Sequence, residues 1–216
     1  MERFFTLDKY NTWYDWGLIV TSKSVTPPEP NTNYVTLDGA DGTLDLSEVL
    51  AGHVTYKDRT VTATFWTDNG TRTDRERLIN KIISALHGRK IKIVEPDDLD
   101  HYFYGRVSVT PEVNNLAYAE FTIKATCEPW RYAMTDSVRS VTVDGELDVV
   151  INNNGVKTLS PIVTVDGDIS LTYNGIKTAL TSGTFKISDF KLDPGVNVVT
   201  VSGNGSVSFT YKEALL

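Results

Sequence analysis

Apolar and polar positions alternate along most of the chain. Val61-Thr-Ala-Thr-Phe65 and Arg106-Val-Ser-Val-Thr110 set apolar residues against polar or small ones, the period of a half-buried strand. Leu147-Asp-Val-Val-Ile151 and Ser206-Val-Ser-Phe-Thr-Tyr211 repeat that pattern. Threonine and valine recur because their branched side chains suit a pleated surface. One segment, Thr73 to Gly88, breaks the alternation. Leu78, Ile82 and Leu86 share one helical face with Ile79 and Ile83 beside them, which predicts an amphipathic helix of about four turns lying on a sheet. Thr73 with Glu76 three residues on reads as its capping box, and Gly88 as its stop. Beyond it, Lys90-Ile-Lys-Ile-Val94 and Tyr102-Phe-Tyr-Gly-Arg-Val107 read as strands flanking a polar tip, Glu95-Pro-Asp-Asp-Leu-Asp-His101.

The pattern changes character near Glu128-Pro-Trp-Arg-Tyr132. Aromatic residues thin out beyond it, and Gly, Asn, Val and Thr dominate. Tyr173-Asn-Gly-Ile176 carries the Asn-Gly pair favoured in two-residue hairpins, and Asp193-Pro-Gly195 and Gly203-Asn-Gly205 read as further turns. Turns at intervals of roughly 8–12 residues mark a small sandwich or jelly roll. The expected organisation is therefore mainly β, with domains at 1–132 and 133–216 and one helix in the first. Val25-Thr-Pro-Pro-Glu-Pro30 reads as an extended surface loop, and Asp38-Gly-Ala-Asp-Gly42 as a tight turn into Leu44-Asp-Leu46.

Composition narrows the function classes. A chain of 216 residues can bury enough surface to fold without metals or disulfides. The net charge of −7 argues against a general nucleic-acid binder. Basic residues nevertheless gather between Arg72 and Lys92, where seven Lys or Arg face only Asp74 and Glu76. No apolar run approaches the roughly 20 residues of a membrane span, and MERFFTLDKY shows no signal peptide, so synthesis in a cytoplasm is expected. Cys127 is the single cysteine and lies in an alternating run, where a small buried side chain is the expected role.

Candidate chemistry is sparse. His53, His87 and His101 belong to no HExxH, GxSxG or Walker pattern. The carboxylates of the polar tip with His101 invite a metal or hydrolase reading through Asp97, Asp98 and His101, but their spacing matches no EF-hand loop. The loop beginning at Asp38 places apolar Val49 where a calcium loop needs its twelfth, acidic ligand. No catalytic residue, metal ligand or cofactor is assigned. The aromatics of the second domain, Tyr173, Phe185, Phe190, Phe209 and Tyr211, are expected in its core, with Phe209 and Tyr211 on one strand face.

Three stretches in order resemble the distal tail protein family of siphophages and related prophages. The first is Leu37-Asp-Gly-Ala-Asp-Gly-Thr-Leu-Asp-Leu-Ser-Glu48, followed by Tyr56-Lys-Asp-Arg59 and a strand. The second is Cys127-Glu-Pro-Trp-Arg-Tyr132, and the third Leu192-Asp-Pro-Gly-Val-Asn197 with Gly203-Asn-Gly205 and a closing strand to Tyr211. The resemblance implies a tail-tube-like β-sandwich or barrel with one flanking helix, closing into a homo-hexameric ring, and a galectin-like C-terminal β-sandwich. It implies a structural, non-catalytic virion protein at the phage tail tip, made in the bacterial host's cytoplasm. The tail tube protein on one side and a tail-associated or tail-tip fibre protein on the other are its implied partners. DNA would pass through the channel without specific binding, and no membrane is involved. Heterologous interfaces close into rings when the rotation fits, so Arg89 and Lys90 of the basic segment and Asp97 and Asp98 of the acidic tip are candidate inter-subunit contacts. The competing readings are a carbohydrate-binding β-sandwich acting in host-surface recognition, which needs an exposed aromatic in the second domain, and an enzyme, which needs its acids gathered in a pocket.

Overall fold

The computed structural model describes residues 4–216, so the first three residues of the segment read for a leader lie outside the described residues. The chain divides into two compact units, Met1–Arg131 with Leu216, and Tyr132–Leu215. Both are built mainly of strands. Among the described residues no helix is long and apolar enough to cross a membrane.

The first unit contains β1 (Thr6–Leu7), β2 (Tyr10–Asn11), β3 (Ile19–Val25), β4 (Tyr34–Thr36), β5 (Thr43–Asp45), β6 (Arg59–Thr67), α1 (Arg72–Leu86), β7 (Lys90–Glu95) and β8 (Asp98–Asn114), and β9 (Ala119–Ala133) runs two residues past its boundary at Arg131. Its main sheet has the order β2-β1-β7-β8-β9-β6-β3, while β4 and β5 pair only with each other. Alternation decides which face is covered. Every second residue of β6, from Arg59 to Thr67, is buried, as are Phe121, Ile123, Ala125 and Cys127 of β9 and Phe103, Val107 and Val109 of β8. The sheet curls around that face. Phe5, beside β1, meets Phe65 of β6 with ring centroids 5.9 Å apart, although β1 and β6 stand four places apart in the sheet. A flat sheet would hold them about 19 Å apart.

Helix α1 completes this core with Ile79, Ile82 and Leu86, while Leu78 and Ile83 pack at its margin. Its cap differs from the sequence expectation. Thr71, not Thr73, is the N-cap: its hydroxyl accepts from the Asp74 N–H at 3.3 Å, and the Asp74 carboxylate accepts from the Thr71 N–H at 3.1 Å. Asp can close the box as well as Glu, and Gly70 at φ +70° sets the entry two residues earlier. Gly88, at φ +77°, ends the helix as expected. The polar tip is also shorter than expected, because Glu95 pairs with Asp98 and β8 already runs through His101.

Cys127 is fully buried between β6 and β8, and burial pushes its thiol up to about 12 from an ordinary value of 9.0. Since the unfolded thiol ionises first, its contribution to stability is complete below pH 9.0 and fades as the pH rises toward 12. A thiol reagent at pH 8 is expected to label Cys127 only after denaturant is added; fast labelling of the native protein would refute this burial.

The sheet of the second unit comprises β10 (Ser137–Asn153), β11 (Ile162–Tyr173), β12 (Ile176–Leu180), β13 (Gly183–Lys186) and β14 (Gly195–Tyr211). They form one antiparallel sheet, β10-β14-β11-β12, with β13 added to β11. The Asn174-Gly175 turn sits where expected, both residues at positive φ (+49° and +78°), as a type I′ hairpin requires. Gly203-Asn204-Gly205 is not a turn. It lies inside the 17-residue strand β14, paired on both sides, with Gly145 of β10 opposite Gly203 and Gly167 of β11 opposite Gly205. These four glycines form a row across three strands, at φ +102°, +130°, +149° and +104° for Gly145, Gly203, Gly205 and Gly167.

The row is where the sheet folds over. Val143, Val149 and Ile151 of β10 lie on one strand face, as do Val199, Val201, Val207 and Phe209 of β14, and all share one core. No helix of this unit covers that face, so the two halves of the sheet must cover each other. The Tyr211 hydroxyl, at one end of β14, donates to the Asn152 carbonyl at 2.6 Å. Asn152 pairs with Val196 at the opposite end of the ladder, about 50 Å away along a straight strand. Phe190 bridges the halves, meeting Tyr173 at 5.1 Å and Phe209 at 5.7 Å.

Candidate functional site: a charged seam and its surroundings

Curling brings the edge strand β3 to the β7–β8 turn. Val20, Lys23 and Val25 are the half-buried residues of β3, and Val20 and Val25 join the core while Lys23 reaches across its margin. The Lys23 ammonium lies 2.5 Å from Glu95 and 2.7 Å from Asp97. Partial burial alone would lower its pKa, but the hydrogen bonds and charges of Asp97 and Glu95 outweigh that and hold it above the ordinary lysine value.

Asp98, next along the turn, is shared. One oxygen meets His101 Nδ1 at 2.8 Å and the other meets Arg131 Nη1 at 3.2 Å. Arg131 also donates from Nε and Nη2 to the Leu216 carbonyl at 3.1 and 2.8 Å. Arg59 lies deeper, its Nε donating to the Thr26 carbonyl at 3.2 Å and its guanidinium 5.3 Å from the centre of the Phe103 ring. Burial, followed by the charge of Arg131, lowers its pKa, although a guanidinium stays charged at any ordinary pH.

The candidate contact residues thus lie in different settings. Asp97 and Asp98 belong to the seam, with partners inside the chain. Lys90 pairs with Glu128 at 2.6 Å and lies 4.8 Å from the Tyr104 ring centre, at the rim of a cleft of about 570 Å³ that also meets Asp58, His87 and Arg106. Arg89 is exposed just past the helix, its N–H bonded to the Leu86 carbonyl. His87 is engaged at Nδ1, which accepts the Val109 N–H at 3.1 Å, on the part of β8 that runs past its pairing with β7.

The chemistry of the seam is that of a clasp: each carboxylate already faces a cation. Among the described residues no group of three or more His, Cys, Asp or Glu side chains is placed to hold a metal ion. In the second unit Phe190, Phe209 and Tyr211 are buried, and Tyr173 and Phe185 are half-buried against the same core. None of the five is fully exposed, whereas a sugar-stacking ring would stand open on the surface.

Sequence periodicity missed two features. Lys23 lies 72 residues before Glu95, and only the curl of the sheet joins them. Arg75 falls on the buried face of α1, where its guanidinium donates to the carbonyls of Asp68, Gly70, Asn115 and Leu116. The one available signal was its place one turn before Ile79 on the apolar stripe.

No family model matches the sequence, and no curated protein matches it. Solved structures were matched with very different degrees of likeness. A conserved protein of unknown function from Pseudomonas aeruginosa PAO1 aligns over 91% of this chain and 98% of its own at 11% identity, with a TM-score of 0.28, too low to carry an argument. Another is the crystal structure of SPP1 Dit (gp 19.1), described as a paradigm of the hub adsorption apparatus in phages infecting Gram-positive bacteria. It aligns over 99% of both chains at 18% identity, with a TM-score of 0.74. The chain shares the fold of SPP1 Dit, a siphophage distal tail protein, across essentially its whole length.

Proposed function

We propose that this protein is a structural component of a phage tail, the distal tail protein that joins the tail tube to the baseplate or tail-tip fibre. The single observation that carries the reading is the likeness to SPP1 Dit over 99% of both chains. In this reading the first unit closes into a hexameric ring with a channel for DNA, and the second is a galectin-like sandwich, its one sheet doubled over at the glycine row. The tail tube protein and a tail-tip protein are its neighbours, and the virion is its destination. The work is mechanical, and the charged residues serve cohesion rather than turnover. An acidic balance of −7 suits a channel through which DNA moves without being held.

The experiment is particle mass in solution by multi-angle light scattering across a range of concentrations. The expected result is a species of six times the 24.0 kDa chain. A single-chain mass throughout, together with glycan binding by the second unit, would replace this reading with the carbohydrate module.

A further inference from the structure

The connection between β3 and β6 is far longer than its job requires. The two strands are antiparallel neighbours, with Val25 opposite Val61, and a hairpin of that kind needs roughly 2–5 residues. Residues 26–58, 33 in all, are spent instead. They are held in place. Lys57 N–H donates to the Glu29 carbonyl and Asn31 N–H to the Thr55 carbonyl, each at 2.8 Å, and farther out β4 and β5 form their own ladder. Yet no residue from 26 to 58 is buried. Tyr34, Leu37, Leu44, Val49, Leu50 and Val54 are exposed, Leu50 completely at 101%. An arm with a defined backbone and no core of its own presents an apolar surface that a partner would cover.

Charge indicates which partner. The arm carries Asp38, Asp41, Asp45 and Glu48 within eleven residues, and no Lys or Arg occurs between Ser24 and Tyr56. Its ion pair, Glu29 with Lys57 at 3.1 Å, is internal to it. The complementary surface is on the same chain. Arg72, Arg77 and Lys81 are exposed on α1, and Arg89 continues the basic run beyond it. Arg77 and Lys81, one turn apart, share the helix's solvent face, where Arg77 also meets the exposed Asp74 at a long, solvent-screened 3.5 Å. The acidic tip of Asp97 and Asp98 has partners within its own chain, so the arm is the better source of acid for this face.

We infer that the 26–58 arm docks on the basic α1 face of a second copy of this chain, with the exposed leucines and valines of the arm covered in the junction. The inference rests on the ring reading and supplies its contact. One acidic arm and one basic face per chain make a head-to-tail junction, the kind that repeats around a ring.

Two triple variants test it. The arm variant carries Asp38→Lys, Asp41→Lys and Glu48→Lys; the helix variant carries Arg77→Glu, Lys81→Glu and Arg89→Glu. All six positions are exposed, so circular dichroism and thermal melting should match the parent chain. In sedimentation velocity each variant alone is expected to assemble roughly tenfold or more weakly, because like charges then face each other. An equimolar mixture should assemble again, since each arm then meets a face of opposite sign and the two variants alternate around an even-numbered ring. Leu50→Asp should weaken assembly in the otherwise unchanged chain. Rings that form normally from either triple variant overturn the docking while leaving the ring intact. Variants that lose assembly and are not restored by mixing overturn it as well. A parent chain that never assembles removes the ring reading, and this inference with it.

Discussion

Gly203→Ala is expected to destabilise the second unit by about 3–5 kcal/mol, among the larger effects a single methyl group can have. Two costs combine there. The φ of +130° lies where an alanine is strained, and the added Cβ would fall within 3.0 Å of the Asp168 carbonyl on the neighbouring strand. Gly205 is in the same position against the Asp166 carbonyl, and Gly167 against that of Asn204. Because backbone rather than a flexible side chain stands in the way, relief would require the sheet to open at its fold. Gly195→Ala is the control: its φ is +93°, but nothing lies within 4 Å of the added methyl, so only the conformational cost of about 1–2 kcal/mol applies. Urea denaturation followed by far-ultraviolet circular dichroism separates the two. Equal, small shifts would mean that the glycine row is not where the sheet folds.

Replacing Arg75 by leucine is expected to cost about 2–4 kcal/mol, although leucine suits both the helix and its apolar neighbours. Arg75 is 1% exposed and has no carboxylate as its hydrogen-bond partner. Nη1 donates to the Gly70 carbonyl at 2.6 Å and to Asp68 at 3.4 Å; Nη2 donates to Asn115 at 2.7 Å and Leu116 at 3.1 Å. The guanidinium therefore ties the loop before α1 to the loop between β8 and β9. Its removal leaves carbonyls at the edge of the core without their donor, each costing part of its desolvation. Arg75→Lys is expected to recover less than half of the loss, because an ammonium cannot spread its donors as the planar fork does. Thermal melting of the three proteins tests this; a lysine variant as stable as the parent would show that charge alone is required.

What was legible in the sequence followed from local periodicity. The helix was evident because Leu78, Ile82 and Leu86 recur at its period, and β6, β8 and β14 because alternation marks a one-sided strand. The Asn174-Gly175 hairpin was legible because two positive φ values in succession call for such a pair. The resemblance to distal tail proteins read from three short stretches is matched by the fold likeness to SPP1 Dit. Other features depend on register between distant segments. Gly203 and Gly205 look like a turn until Gly145 and Gly167 are seen beside them, 58 and 38 residues earlier. Asp97 and Asp98 look like free surface acids until Lys23 and Arg131 arrive from other strands. Arg75 counts as polar in any periodic pattern, so its place in the core was hidden by its own charge. The displaced helix cap is a smaller case, where two threonines each had an acid three residues on and only the backbone decided between them.

The central claim is that copies of this chain build a ring, and negative-stain electron microscopy of the purified protein tests it most directly. Class averages with six-fold symmetry and a central hole are the predicted result; a field of compact single chains at every concentration would contradict it.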